Sequence, residues 1–289
     1  MLRCRLLSLL AVLVLGAAAC SDDDGGGDGS AAATTTALPA ASSTTSGPTA
    51  TTGPAPATAV EARVYFTRDS TVATAGRRVT PPAVAQGAVE ALLAGPTEAE
   101  AALGLTSPIP AGTELRRISV ADGLATVDLS GSFLDQGGPD VALRVAQVVH
   151  TLTQFPTVDR VTIQVEGVPA PTVGPDATPV VEVGRGAFED QAPAVLVESP
   201  TPGATVTSPV RVTGTANTFE ASVGYEVRSA DGTVLDEGFT TATSGTGTRG
   251  TFELTTSALP EGEAVLAAFQ VSAEDGSRID VYEVAITVG

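Results

Sequence analysis

The stretch that decides the fold is residues 91–133, ALLAGPTEAEAALGLTSPIPAGTELRRISVADGLATVDLSGSF. Its first residues close an apolar helix face: Val84, Ala88, Ala91 and Leu92 recur at helical spacing, and Gly95-Pro96 cannot continue a helix. Its last third has a different period. ELRRISV and LATVDLS alternate about Asp122-Gly123, a pair suited to the left-handed positions of a two-residue hairpin turn. A helix followed so soon by a hairpin points to a layered α+β domain.

Upstream, VEARVYFT from Val60 reads as a strand, and Thr80 before Pro81-Pro82 reads as the start of a helix running to Leu93. Downstream, Val141, Val145, Val148, Val149 and Leu152 form one stripe of a helix over 141–152, and RVTIQVEG reads as a closing strand. The expected order over 59–169 is β-α-β-β-α-β, an antiparallel sheet with helices on one face. Residues 170–193, loose and proline-bearing, read as a linker. From Ala194 the chain is strand-like throughout, with Asp231-Gly232 and Asp275-Gly276 at hairpin turns, so 194–289 reads as an immunoglobulin-like β-sandwich. Phe219, Tyr225, Phe239, Phe252, Phe269 and Tyr282 are its expected core aromatics.

The N-terminus has a third character. Arg3 and Arg5 precede an apolar run from Leu6 to Leu15 and the small residues 16–19, the layout of a secretory signal over 1–19. The run is short of the roughly 20 apolar residues a spanning helix needs and stops against Asp22, Asp23 and Asp24. Small residues before Cys20 look like a bacterial lipobox, although Ala17 stands where the usual pattern has a Leu-like residue. The resemblance implies that Cys20 is lipidated and becomes the mature N-terminus, and durable anchoring by two or more acyl chains fits the physics of membrane binding. The other reading is a secreted protein with an incidental cysteine. Residues 20–58, almost wholly Gly, Ala, Ser, Thr, Pro and Asp, cannot build a core and read as a disordered tether spanning roughly 35 Å.

The leucine pair before Gly95-Pro96-Thr97, the SPIPAGT turn and ATVDLSGSF together resemble the GerMN domain of sporulation and spore germination proteins. Residues 194–288 resemble the companion immunoglobulin-like Gmad2 domain through SPTPGATVTSPVRVTGTANTFEASVGYEV, ADGTVL and SAEDGS. The resemblance implies an extracytoplasmic, often lipid-anchored protein, with GerMN similar to ring-building scaffold modules. It carries no catalytic residues across.

Composition excludes several chemistries. The formal charge of −18 repels nucleic acid and anionic lipid surfaces. Every basic residue is Arg, so there is no Schiff-base lysine and no Walker phosphate loop. Cys4 and Cys20 both precede the folded region, which rules out a disulfide or a thiolate metal site within it. His150, nearly opposite the apolar stripe, reads as a solvated surface residue, and no G-x-S-x-G elbow accompanies it. Asp128 and Asp135 form an imaginable acid pair, but at a strand end and loop they read better as turn caps. Arg77-Arg78 and Arg116-Arg117 read as solvated pairs rather than an acidic-partner contact.

The sequence therefore predicts a non-enzymatic envelope protein with no cofactor, metal or small-molecule substrate. It is held to the extracytoplasmic face of the cell membrane through Cys20, and its two domains contact envelope proteins. Two alternatives stay open: a wall-glycan-binding or wall-processing accessory, and a sensor lipoprotein that modulates a histidine kinase.

Overall fold

A computed structural model describes residues 58–135, 140–170 and 180–289. The signal segment, Cys20 and nearly all of the tether lie outside these residues.

The chain opens with a hairpin, β1 (Val60–Arg68) against β2 (Thr71–Val79), turning through Asp69 and Ser70, both at positive φ. Strand β2 is absent from the sequence reading. Val72, Ala73, Thr74 and Ala75 are all buried, so small side chains on both faces replace the polar–apolar alternation that marks a half-exposed strand. Because β2 runs to Val79, Thr80 is not a helix cap; α1 (Val84–Leu93) starts after Ala83, with no side-chain cap. It ends as expected, with Gly95 at φ 81° and its N–H bonded to the Leu92 carbonyl.

Helix α2 (Glu98–Ala102) opens with a capping box. The Thr97 hydroxyl accepts the Glu100 N–H while the Glu100 carboxylate accepts the Thr97 N–H. Strands β3 (Leu115–Ala121) and β4 (Leu124–Leu129) form the expected hairpin about Asp122-Gly123. Helix α3 (Asp140–Leu152) then crosses over to β5 (Arg160–Val165), followed by β6 (Val168–Pro169), in the sheet order β3-β4-β5-β6. The crossover makes β5 parallel to β4, so this sheet is mixed rather than wholly antiparallel. The α+β class stands, with β2, α2 and β6 added to the expected order.

The second fold has two sheets. One contains β7 (Val195–Ser199), β9 (Arg211–Ala216) and β12 (Gly250–Thr255), in the order β12-β9-β7. The other runs β11-β10-β13-β14-β8. Its strands are β8 (Ala204–Val206), β10 (Ser222–Ser229), β11 (Val234–Thr241), β13 (Gly262–Val271) and β14 (Arg278–Val288). Phe252, Phe269 and Tyr282 are buried and Tyr225 partly so. Phe219 and Phe239 are instead 53% and 79% exposed. Phe239 lies on edge strand β11 opposite Gly224, and the space above that glycine is filled by the ring of Phe269.

Between the folds, Val183 pairs with Val161, and a 3-10 segment (Arg185–Gln191) lies against α3 with Phe188 buried. One continuous apolar core runs from Val64 and Phe66 through Leu152 and Phe188 to Leu196 and Val284. The two folds therefore share buried surface.

Candidate functional site

The distinctive chemistry lies at the seam between the folds and begins with α3. Val145, Val148, Val149 and Leu152 of its apolar stripe are buried, Val141 is half-buried, and Arg144, Gln147, His150 and Thr151 are buried too. The side of α3 on which the sequence reading put His150 in solvent is covered by β1 and by the 3-10 segment. Gln147, Thr151 and Gln154 stand one helical turn apart. The Gln147 amide donates to the Tyr65 carbonyl at 2.9 Å, Thr151 Oγ1 accepts the Tyr65 N–H at 3.1 Å, and Gln154 Oε1 accepts the Arg63 N–H at 2.7 Å. Helix side chains thus satisfy the strand edge where another strand would pair.

This clamp fixes Tyr65, whose hydroxyl donates to Glu198 Oε1 at 2.5 Å. Arg185 Nη1 donates to the same oxygen at 2.6 Å. Its Nη2 donates to the Tyr65 hydroxyl at 3.2 Å and to the His150 carbonyl at 3.0 Å, and its Nε donates to Thr153 Oγ1 at 2.8 Å. Tyr65 and α3 belong to the first fold, Arg185 to the connecting segment and Glu198 to β7. The lock therefore ties all three together. Nearby, the Thr74 N–H of β2 donates to Tyr282 Oη at 3.2 Å, and Thr74 Oγ1 donates to the Val197 carbonyl at 3.1 Å.

Burial raises the Tyr65 pKa and the Glu198 charge raises it further, so the phenol stays protonated and is no general base. Burial alone would raise Glu198, but the Arg185 charge and the Tyr65 hydroxyl outweigh it and hold the carboxyl below its ordinary value. His150 is a correction to the sequence reading, being 2% exposed with neither ring nitrogen hydrogen-bonded. Its ring centroid is 5.3 Å from that of Tyr65. Burial, then the Arg185 and Arg249 charges, push its pKa well below the usual value, so it is neutral. An uncharged imidazole with no adjacent hydroxyl bonded to it is not a nucleophile's partner.

The other sequence candidates have structural partners. Asp128 Oδ1 accepts the Gly167 N–H at 2.8 Å, in keeping with a turn cap. The Asp135 carbonyl accepts from Arg144 at 2.6 Å. Arg77 is mostly buried and ion-paired with Glu100, a correction to its solvated reading, whereas Arg78 stands exposed at 3.7 Å from Glu61. Arg116 pairs with Glu166 at 2.6 Å. Among the described residues no cluster of three or more His, Cys, Asp or Glu side chains is placed to hold a metal ion. No helix among them is long and apolar enough to cross a membrane.

The resemblance motifs also have structural work. Thr97 is the α2 cap, Ser107 Oγ bonds Gln147 at 3.2 Å, Ser130 Oγ accepts the Glu114 N–H, and Phe133 is fully buried. Tyr65, Arg185 and Glu198 were missed in the sequence. The one local signal was Arg185 between two glycines, an isolated cation in a segment otherwise lacking one.

An α+β domain fused through a shared core to an immunoglobulin-like sandwich defines a two-domain protein whose distinctive polar site is a lock between folds. The sporulation and spore germination family Germane matches residues 63–171, and the immunoglobulin-like domain of bacterial spore germination, Gmad2, matches 194–277. The chain carries these two germination-family domains in that order. Among solved structures it is similar to the first GerMN domain of the sporulation protein GerM from Bacillus subtilis, at 24% identity and TM-score 0.34, over 43% of this chain and 96% of that one. The tandem GerMN domains of the same protein give 18% identity and TM-score 0.37, over 80% of this chain and 60% of that one. A putative lipoprotein from Clostridium perfringens gives 19% identity and TM-score 0.32, over 47% and 93%. Comparison with curated proteins gives no match.

Proposed function

We propose that this germination-family chain is a non-enzymatic envelope protein, anchored by lipid on Cys20 at the extracytoplasmic face of the membrane, whose two joined folds serve as one protein-interaction module. The observation that carries this reading is the use to which the recognisable residues are put. The family motifs supply caps, turns and core, and the buried polar residues tie the folds together, an arrangement suited to presenting a rigid surface. The anchor rests on the charged start, apolar run and small residues leading into Cys20.

The test is intact-mass analysis of the membrane fraction for wild type and Cys20→Ser. The expected wild-type chain begins at Cys20 with a diacylglyceryl-sized addition, and the variant leaves the membrane. Unmodified, soluble wild-type protein would remove the anchor from the proposal.

A further inference from the structure

A cleft of about 570 Å³ opens where the β1–β2 hairpin meets the loop between β7 and β8. Arg63, Arg77 and Arg78 line one side, and Thr201 and β8 line the other. Arg63 is opposite Gly76 in the hairpin register, and a Cβ on Gly76 would sit 2.7 Å from Thr201 Oγ1. The glycine lets the second fold come up against the arginine.

The charges around the cleft are balanced except in one place. Glu100 neutralises Arg77, Arg185 neutralises Glu198, and Glu61 faces Arg78. Arg63 has no ion pair among the described residues, its buried Nε has no hydrogen-bond partner, and it acts on Glu198 and Tyr65 only through longer-range attraction. A half-buried guanidinium held by no ion pair can form a charge-assisted pair with an incoming carboxylate. The opposite wall offers backbone: β8 ends its sheet, paired on one side only, with Thr205 exposed and Ala204 and Val206 half-buried.

We infer that this cleft takes an extended peptide, which adds to the open edge of β8 and places one carboxylate on Arg63. One uncompensated cation matches one carboxylate, and Glu61 and Glu198 in the walls, with the net charge of −18, disfavour a polyanion. Strand addition supplies affinity through backbone bonds, and the carboxylate supplies selection. The inference rests on the protein-interaction reading above and names its site and the chemistry of its partner.

The test titrates the full chain into fluorescently labelled acetyl-Thr-Val-Glu-Val-Thr-amide and its Gln counterpart, reading anisotropy. The expected result is saturable binding of the Glu peptide, at least tenfold weaker binding of the Gln peptide, at least tenfold weaker binding to Arg63→Gln, and partial recovery with Arg63→Lys. Absent binding, or equal binding of the two peptides to wild type, overturns the inference without recourse to a variant. Inorganic phosphate displacing the peptide more strongly than acetate overturns it in favour of a phosphate site. Cross-linking in the intact envelope separates this failure from that of the broader reading. If wild type and Arg63→Gln cross-link equally to the same protein, the interaction module stands and the cleft assignment falls; if wild type binds the peptide but cross-links to nothing, the interaction module is the part that fails.

Discussion

At the residue scale His150 carries the sharpest consequence. Neutral imidazole retains one N–H donor, and burying it unpartnered costs about 1–3 kcal/mol, so an apolar ring of similar size should be tolerated or better. His150→Phe is expected to stabilise the fold by about 1 kcal/mol at pH 7.5, read from urea denaturation. The sign of the pH effect follows from linkage. A histidine with a depressed folded pKa binds its proton more readily when unfolded, so wild type loses stability as pH falls below about 6.5, and the variant should be flatter there. Glu198 acts in a lower window. Its carboxyl is depressed in the fold, so its contribution is present above the unfolded value of 4.5 and is lost as pH falls through the folded one. A wild-type midpoint unchanged between pH 7 and pH 5 would contradict the buried state of His150. The helical wheel placed this residue opposite the apolar stripe correctly; what it lacked was knowledge that β1 and the 3-10 segment cover that side.

At the scale of elements, legibility followed local period. The β3–β4 hairpin and α3 were readable because each has one apolar face and a turn or stripe that announces it. Strand β2 was not, because small buried residues on both faces erase alternation, and the Asp69-Ser70 turn lacks the glycine that usually marks such a hairpin. The parallel direction of β5 was hidden as well, since strand direction comes from the path of the crossover rather than from any side chain. The seam was least visible, because Tyr65 and Glu198 are 133 residues apart in the chain. Two substitutions test the element account. A Cβ on Gly214 of β9 would lie 2.2 Å from the Leu196 carbonyl oxygen and 2.6 Å from the Phe252 ring, so Gly214→Ala should cost about 1–3 kcal/mol through forced separation of β9 from β7 and β12. Thr97→Ala removes a capping box and should cost about 1 kcal/mol, read in the same denaturation experiment.

At the scale of the molecule, the continuous core and the Tyr65–Arg185–Glu198 lock make the two folds depend on each other. Small domains joined by a bare linker would unfold separately, whereas these share apolar burial and place an ion pair where neither fold alone could shield it. Calorimetry of wild type should therefore give one transition, with calorimetric and van't Hoff enthalpies in agreement. Arg185→Met leaves the Glu198 carboxylate at the seam without its cation and should cost about 3–5 kcal/mol, more than loss of a surface pair. Pairing it with Glu198→Gln removes the stranded charge, so the double variant should be less destabilised than the two single costs added together. Two resolved transitions in wild type, or strict additivity in the cycle, would mean that the seam is a contact between independent domains rather than the joint that makes them one body.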